Sequence, residues 1–585
     1  MSKTSKFFKH PVLFFKDAYK KKQGGKGPEI LVVAEKKDEK ANAALAVPMP
    51  SIATKNSGTQ PIVMPSTIND KAAASKPKAP TTVAKKPVAL GAPQGPRPQS
   101  FYLETILDLK RGAPVNMLTY KDYCLWPALR SELMIQCDIA WKKGIKNETS
   151  FNPYQSQLCR PANVSFEKGE ELKASFDYFK RVEDIEKDSC DFLFFSNLNS
   201  TDHVDIGGRI YNRLVDPLFE AASQVGKAKK IEVIKAASPA IEKIKRYHNV
   251  PLCIVPPYIY RAGYSDAIRM PKNFHGVLQS KIPFIKFTED RLVSFFDWHL
   301  HMLDFYRDLL DKLNPKVVFF HPFYYYTPLI AAARERGIKT VDIQHGVMIG
   351  YNTVFYSNWQ ETPEAGYLGM PDYFLVWSEN ERKHLERTFS DNFKASPHRA
   401  VVSGYAWLDY DVVHSEKAIA RLGRVKNFVE KGKIAILVTL QRDSLIPKNV
   451  EQIIDTSDDS VRWIIRRHPK GEVFNSDVRK KKNVLWGSDV DLAELRDIFK
   501  CVNYNFTDGS STVLEADYFG IYSFVYGKEG IMNYKELIDS GKVGIIPPNV
   551  QSFDDLQIGS EDSSQRIGYF KKHDLTALLE KILVE

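Results

Sequence analysis

Between Cys190 and Tyr526 the chain alternates short runs centred on apolar residues with longer amphipathic ones. The apolar runs are DFLFFS (191–196), KIEVIK (230–235), VPLCIV (250–255), KVVFF (316–320), KTVDIQ (339–344), DYFLVW (372–377) and AVVSG (400–404). Runs of this length and composition predict strands. The stretches 208–223, 290–313 and 327–337 predict helices between them. Strand–helix alternation implies a parallel sheet with helices on both sides. After a break at about 410–432 the pattern resumes, with strands predicted at 434–439, 462–467, 483–486, 501–506 and 522–526 and helices at 491–499 and 511–519. The expected fold class is α/β, with two Rossmann-like domains facing a cleft. Ligands of open α/β sheets bind at the C-terminal ends of the strands, so the cleft is where chemistry is expected.

The flanks read differently. Residues 101–189 predict a mostly helical extension, with 125–143 its most periodic run, and 574–583 predict a last helix. Residues 23–100 contain no aromatic residue and are rich in Pro, Ala and Lys. Such a segment buries too little apolar area to offset its ordering entropy, which predicts a disordered linker. In residues 1–22, Phe8, Val12, Phe15 and Tyr19 share a helical face flanked by Lys9, Lys16 and Lys20. A basic helix with an aromatic face suits an anionic membrane surface. Docking on the protein itself, or a frayed tail, is the alternative, and the linker argues against tight docking.

Charge sharpens this division. Of 82 Lys+Arg and 71 Asp+Glu, residues 1–100 hold 18 and 6, a net +12, leaving 64 and 65, a net −1, for the rest. The basic character belongs to the N-terminal arm, and a neutral body argues against nucleic acid as a partner. Cys124, Cys137, Cys159, Cys190, Cys253 and Cys501 are scattered with no C-x-x-C pair, which suits a reducing cytosol. No run of about 18 apolar residues predicts a membrane span, and no secretory signal is legible.

Four motifs sit at predicted strand ends. TDGSSTVLEADYFG (507–520) places Ser510, Ser511 and Thr512 where a helix begins, with Glu515 one turn on. Backbone N–H groups and hydroxyls there suit a phosphate, although plain N-capping uses the same residues. IIRRHPK (464–470) brings Arg466, Arg467, His468, Pro469 and Lys470 to the end of another strand of the same domain, giving a second anion-binding loop or a solvated basic one. DIQHGVMIGY (342–351) offers Gln344, His345 and Gly346 in the first domain, with His345 a base, a phosphate ligand or a structural histidine. SNLNSTDHVDIGGR (196–209) carries Asp202, His203 and Asp205, where an Asp deprotonates a hydroxyl or merely caps a turn. Arg442 suits a phosphate; Gln441, Glu379 and Tyr405 are further polar strand-end residues, and His321 in HPFYYY reads as aromatic wall. No H-E-x-x-H, Walker A or D-x-D motif is convincing, so no metal and no cofactor are expected.

Together these residues resemble bacterial GT-B glycosyltransferases of capsule and lipopolysaccharide assembly, over roughly residues 101–530. The pattern is most similar to the group with cytidine-nucleotide donors: sialyltransferases, Kdo transferases of capsule export, and CDP-glycerol glycerophosphotransferases. The resemblance implies that His468, Pro469, Ser510, Ser511 and Thr512 hold the donor's phosphate. Gln344-His345-Gly346 looks like the HG motif of the glycerophosphotransferases, whose His is a candidate base. The opening FFKHPVLFFKDAYKK resembles those of capsule polymerases that act at the inner face of the membrane. The sialyltransferase base motif of two acidic residues and Gly has no copy in the first domain. The base is therefore open between His345, Asp202 and Asp205.

The resemblance implies an acceptor-side domain at 190–410, with Gln344, Gly346 and His203 around the acceptor, and a donor domain at 411–585 that includes the last helix. Arg442, Arg466 and Glu515 join the donor site. The activity implied is inverting, metal-independent transfer of a sugar from a nucleotide-activated, CMP-linked donor to a growing surface polysaccharide or lipid-linked glycan. The place implied is cytoplasmic, peripheral on the membrane through residues 1–22. Transfer of a polyol phosphate from a CDP-alditol, or a non-catalytic role in polysaccharide assembly or export, are the alternatives.

Overall fold

The structure is a computed structural model that describes residues 106, 108–109, 114–142, 149–152, 179–196, 202–206, 208–233, 244–254, 263–346, 348, 355–356, 359, 362–389, 396–412, 414–441, 445–469, 471, 474–556 and 567–585. The predicted membrane helix at 1–22, the linker at 23–100, Arg442 and Lys470 lie outside the described residues.

The first domain is built on an eight-stranded, wholly parallel sheet. Its strands are β1 (Phe179–Lys180), β2 (Phe192–Ser196), β5 (Ala228–Val233), β6 (Leu252–Ile254), β7 (Val317–Phe320), β8 (Lys339–Ile343), β9 (Tyr373–Val376) and β10 (Arg399–Val402), with β3 (His203–Ile206) and β4 (Arg209–Asn212) forming a separate hairpin. The sheet order is β10-β9-β8-β7-β2-β5-β6-β1. Period-two alternation assigns its side chains to two cores. Leu193, Phe195, Val318 and Phe320 face α1 (Trp126–Lys142), α3 (Glu289–Leu313) and α4 (Thr327–Arg334). Phe192, Phe194, Val317 and Phe319 face α2 (Asp216–Val225) on the other side.

The second domain has six parallel strands, β11 (Ile434–Thr439), β12 (Val461–Arg466), β13 (Val484–Trp486), β14 (Tyr504–Thr507), β15 (Tyr522–Val525) and β16 (Gly544–Ile545), in the order β13-β12-β11-β14-β15-β16. Counted within the domain this is 3-2-1-4-5-6, the doubly wound nucleotide-binding order. The expected architecture, two Rossmann-like domains facing a cleft, is the one present. Val513, Leu514, Val525 and Tyr534 of the second domain share an apolar core with Phe192, Phe194 and Leu375 of the first.

Four stretches depart from expectation. The helix predicted at 208–223 begins only at Asp216. Before it, β3 and β4 pair antiparallel, with Ile206 opposite Arg209. Gly208 sits at this tip with φ +88°, a conformation that favours glycine. Asn212 Oδ1 accepts from the Leu214 and Val215 N–H groups at 3.1 Å, and Pro217 then opens α2. The helix predicted at 491–499 is two short ones, α8 (Ser488–Asp491) and α9 (Leu495–Phe499). Arg466 divides them, donating from Nη1 to the carbonyls of Val490 (3.0 Å) and Ala493 (2.5 Å). The break at 410–432 contains α6 (Glu416–Val429), N-capped by Ser415 Oγ, which accepts from Ala418 N at 3.2 Å. Val425 is its one fully buried residue, so its apolar pattern is faint. The 101–189 extension combines α1 with short strands. Thr119–Tyr120 pairs with Tyr123–Cys124 and Ile268–Arg269, and β1 joins the main sheet.

The last helix, α11 (Leu575–Val584), packs on the first domain. Leu579 and Ile582 are buried in the core that holds Leu218 and Ala222 of α2. Lys339 Nζ donates to the carbonyls of Ile582 (2.9 Å) and Leu583 (3.1 Å), a cation at a helix C-terminus. Grouping this helix with residues 411–585 by sequence therefore misses its packing partner.

Candidate active site between the two sheets

Strand order reverses between β2 and β7 in the first sheet and between β11 and β14 in the second. Chains leaving the two strands at such a point go to opposite faces, which opens a crevice. Asp202 lies on the connection after β2, and His321 directly follows β7. Thr439 and Thr507 end β11 and β14, and Thr507 Oγ1 donates to the Thr439 carbonyl at 3.2 Å. A cleft of about 1000 Å³ runs along the domain boundary. His203, Asp205 and Arg213 line it from the first domain, and Arg466, Pro469 and Glu494 from the second.

His345 follows β8. Its ring stands 6.4 Å from His321, 6.2 Å from Tyr324 and 6.4 Å from Tyr356. Its Nδ1 is buried without a hydrogen-bond partner. Burial and the neighbouring His321 ring bring its pKa down to about 4, with Asp202 pulling the other way. The imidazole is thus neutral at physiological pH and free to take a proton. His321 is 3% exposed, its Nε2 also lacks a partner, and burial lowers its pKa to about 4. Read from sequence as wall at a strand end, it stands buried at the switch point of its sheet, 6.4 Å from the His345 ring.

Asp202 and Asp205 separate clearly. The Asp202 side chain is 15% exposed, with Oδ1 4.0 Å from Arg213 Nη2, and it faces His345. Asp205 sits at the hairpin tip, half exposed, where Oδ1 accepts from Gly208 N at 3.0 Å and Oδ2 pairs with Arg246. This is the turn-capping alternative, and it occupies the carboxylate. His203 stands edge-on to Tyr247 at 5.2 Å.

Gln344 and Gly346 do not have the setting expected of acceptor contacts. Gln344 is fully buried: Oε1 accepts from Trp377 N at 2.6 Å, and Nε2 donates to the Gly346 carbonyl at 2.7 Å and to Glu381. It is a clamp that fixes the loop carrying His345. Glu381 also accepts from Met348 N at 3.0 Å, and burial pushes its carboxyl up to about 7. Gly346 does not have a positive φ, and a Cβ there would meet nothing within 4 Å, so neither a left-handed turn nor close packing requires glycine. Glu379 is spent in an ion pair with Arg382 at the start of α5 (Glu379–Phe389).

In the second domain the serine turn is tightly fixed. Asp508 Oδ1 accepts from Gly530 N at 2.6 Å. A Cβ on Gly509 would come within 2.8 Å of the Glu529 and Asn533 side chains. The helix that follows, α10 (Thr512–Tyr518), has seven residues, and Ser511 at its N-cap makes no side-chain cap bond. Ser511 Oγ instead donates to Glu515 Oε1 at 3.1 Å. Ser510 Oγ accepts from Thr512 N at 3.3 Å, its carbonyl accepts from the Tyr534 hydroxyl at 2.6 Å, and Thr512 Oγ1 lies 3.1 Å from Thr439 Oγ1. Glu515 is 6% exposed, and burial raises its carboxyl. His468 is half-buried, and its carbonyl accepts from Gly471 N at 2.7 Å.

The two halves meet through Arg213, which the sequence reading missed. Burial works against its charge, but Tyr405, Glu494, Asp202 and Glu515 around it more than offset that and hold the guanidinium above its ordinary value. Arg466 faces the same Glu494 and Glu515, with burial and then Arg213 among the influences on its charge. The available signal was an arginine inside the apolar stretch IYNRLV, where a solvated face would carry no such neighbours. Among the described residues no cluster of three His, Cys, Asp or Glu is placed to hold a metal ion, and no helix is long and apolar enough to cross a membrane.

No family model and no curated protein sequence matches the chain. Solved structures match at low identity. The structure of a wall teichoic acid polymerase is 10% identical, with 78% of this chain and 98% of that one covered and a TM-score of 0.37. UDP-GlcNAc 2-epimerase from Neisseria meningitidis, bound to UDP-GlcNAc, is 13% identical, with 68% and 100% covered and a TM-score of 0.38. A transferase from Siraitia grosvenorii in complex with UDP is 11% identical, with 67% and 91% covered and a TM-score of 0.37.

Proposed function

We propose that the chain is an inverting glycosyltransferase that moves a sugar from a CMP-linked donor to a growing surface polysaccharide or lipid-linked glycan, without a metal. One observation carries the reading. A neutral, half-buried histidine and Asp202 at the strand ends of the first sheet converge, through Arg213, with Arg466, Glu515 and the serine turn at the strand ends of the second. This links a proton acceptor in the first domain with a cationic, hydroxyl-bearing site in the second through Arg213, which together with Arg466 lines the cleft.

In the proposed step His345 takes the proton from an acceptor hydroxyl while that oxygen bonds to the anomeric carbon. The anomeric carbon–phosphate oxygen bond breaks on the opposite face, and its electron pair leaves with the nucleotide. Asp202 steadies the imidazolium that forms. Arg466, His468 and Pro469 with Ser510, Ser511 and Thr512 receive the leaving phosphate, and Glu515 takes a ribose hydroxyl. Arg442 is proposed for the same site. His203 and the hairpin tip border the acceptor, and Gln344 and Gly346 act by setting the His345 loop. The arm at 1–22 would hold the enzyme at the inner face of the membrane, near its glycan.

The test is a thermal-shift panel of the full chain with CMP, CDP, UDP, GDP and ADP. A nucleotide at a hundred times its Kd stabilises by about 2.7 kcal/mol, which is readily measured. Stabilisation by CMP or CDP that is lost in His468→Ala supports the donor. Preference for UDP or GDP replaces the donor class, and no shift with any nucleotide moves the reading to an assembly factor. Release of CMP from a CDP-alditol would identify polyol-phosphate transfer instead.

A further inference from the structure

Two guanidinium groups from different domains share one partly buried space. Arg213 comes from the turn between β4 and α2 of the first domain, and Arg466 from the end of β12 in the second. Both line the interdomain cleft, and Arg213 is 20% exposed. Like charges brought together away from water are costly, and folds retain such pairs where a site needs them.

The groups around the pair are all on the page. Asp202 and Tyr405 face Arg213 from the first domain; Glu494 and Glu515 face both arginines from the second. Asp491, also near Arg466, is engaged by Arg467 at 2.7 Å. Arg466 has committed Nη1 to two carbonyls. Glu494 Oε1 accepts from Trp407 Nε1 at 3.3 Å, and burial already favours the neutral form of Glu515. Glu515 Oε1 also accepts from Ser511 Oγ at 3.1 Å, so the two carboxylates that join the arginines are partly engaged elsewhere. An anion with several oxygens would pair with both forks at once.

We propose that Arg213 is a first-domain ligand for the phosphate of the donor nucleotide, opposing Arg466, so that the donor ties the two domains together. This rests on the nucleotide-donor reading above and adds to it a binding residue from the other domain. An anion held between the domains also favours the closed cleft over the open one, because only the closed form offers both guanidiniums.

The experiment uses the full chain, with Arg213→Met and Arg213→Lys, titrated calorimetrically with CMP, CDP, UDP, cytidine, uridine and inorganic pyrophosphate at two salt concentrations. Circular dichroism and melting confirm that each variant folds. If Arg213→Met does not fold, Arg213→Lys, which keeps the charge but not the fork, carries the test. The expected result is at least a tenfold loss of nucleotide and pyrophosphate affinity in the folded variant, a shallower salt dependence, and unchanged nucleoside affinity. Wild-type nucleotide affinity in a folded Arg213 variant would overturn the proposal and leave the donor reading intact. Wild-type binding of pyrophosphate but of no nucleotide, lost on Arg213 substitution, would overturn the donor reading and leave the anion site standing.

Discussion

A base that works near neutrality must be uncharged there, and His345 meets this condition through burial and a second imidazole beside it. Its pKa is depressed from 6.5 to about 4, so the neutral form dominates above about pH 5 and protonation as pH falls toward 4 removes it. The expected kcat/KM profile is flat from pH 6 to 7.5, with its acid limb below pH 5, and His345→Ala lowers turnover by about 10²–10⁴-fold with the fold intact. An acid limb centred near 6.5 would instead report an exposed histidine. At this scale the sequence was only partly legible. It named Asp202, His345, Arg466 and Glu515, all of which come together. It could not separate Asp202 from Asp205, because the Arg246 that occupies Asp205 lies 41 residues away in the chain. Gln344 looked like a ligand for the same reason: its true partners, Trp377 and Glu381, are contributed by later segments.

At the scale of elements, twelve strands of the two main sheets were read to within a few residues because burial on both faces leaves runs rich in apolar residues, whereas β1, β16 and the β3–β4 hairpin were not read at all. Helices failed where one polar contact overrides pattern. Arg466 breaks 491–499 in two, and Asn212 with Pro217 postpones α2 past the hairpin. The last helix was read as a helix, but its partner was not legible, since an amphipathic face does not say what it covers. That packing gives a direct expectation. Leu579→Ala and Ile582→Ala should each cost about 2–5 kcal/mol in urea unfolding, because both side chains are almost wholly buried against the first domain. The surface change Lys581→Ala should cost little. Equal, small effects for all three would mean that α11 is not seated on α2.

At the scale of the molecule, Glu381 sits where the parts of the site are joined. It belongs to the first domain, holds the His345 loop through Gln344 and Met348, and has Tyr534 of the second domain nearby. Its pKa is raised by burial from 4.5 to about 7. A raised carboxyl contributes stability below its unfolded pKa and loses it as pH climbs through the folded value. Taken alone, Glu381 removes stability between pH 5 and 7 at a limiting slope of about 1.4 kcal/mol per pH unit, while His321 and His345, whose pKa values are lowered to about 4, add stability as pH rises toward 6.5. Glu381→Gln, which cannot ionise, should gain stability relative to the wild type across that interval in melting curves against pH, and a wild-type–variant difference that does not change with pH would rule out the raised Glu381 carboxyl.

The position of α11 also orders events in time. The ribosome finishes every strand of the first sheet before it begins the second domain, yet residues 575–584 are made after both. Until they emerge, the core around Leu218 and Ala222 of α2 lacks the part supplied by Leu579 and Ile582. The first domain therefore spends the whole synthesis of its neighbour incomplete, with part of its apolar surface exposed during that interval. A nascent chain stalled before residue 575 would carry all the site residues and still lack the seal that settles the domain bearing His345 and Arg213.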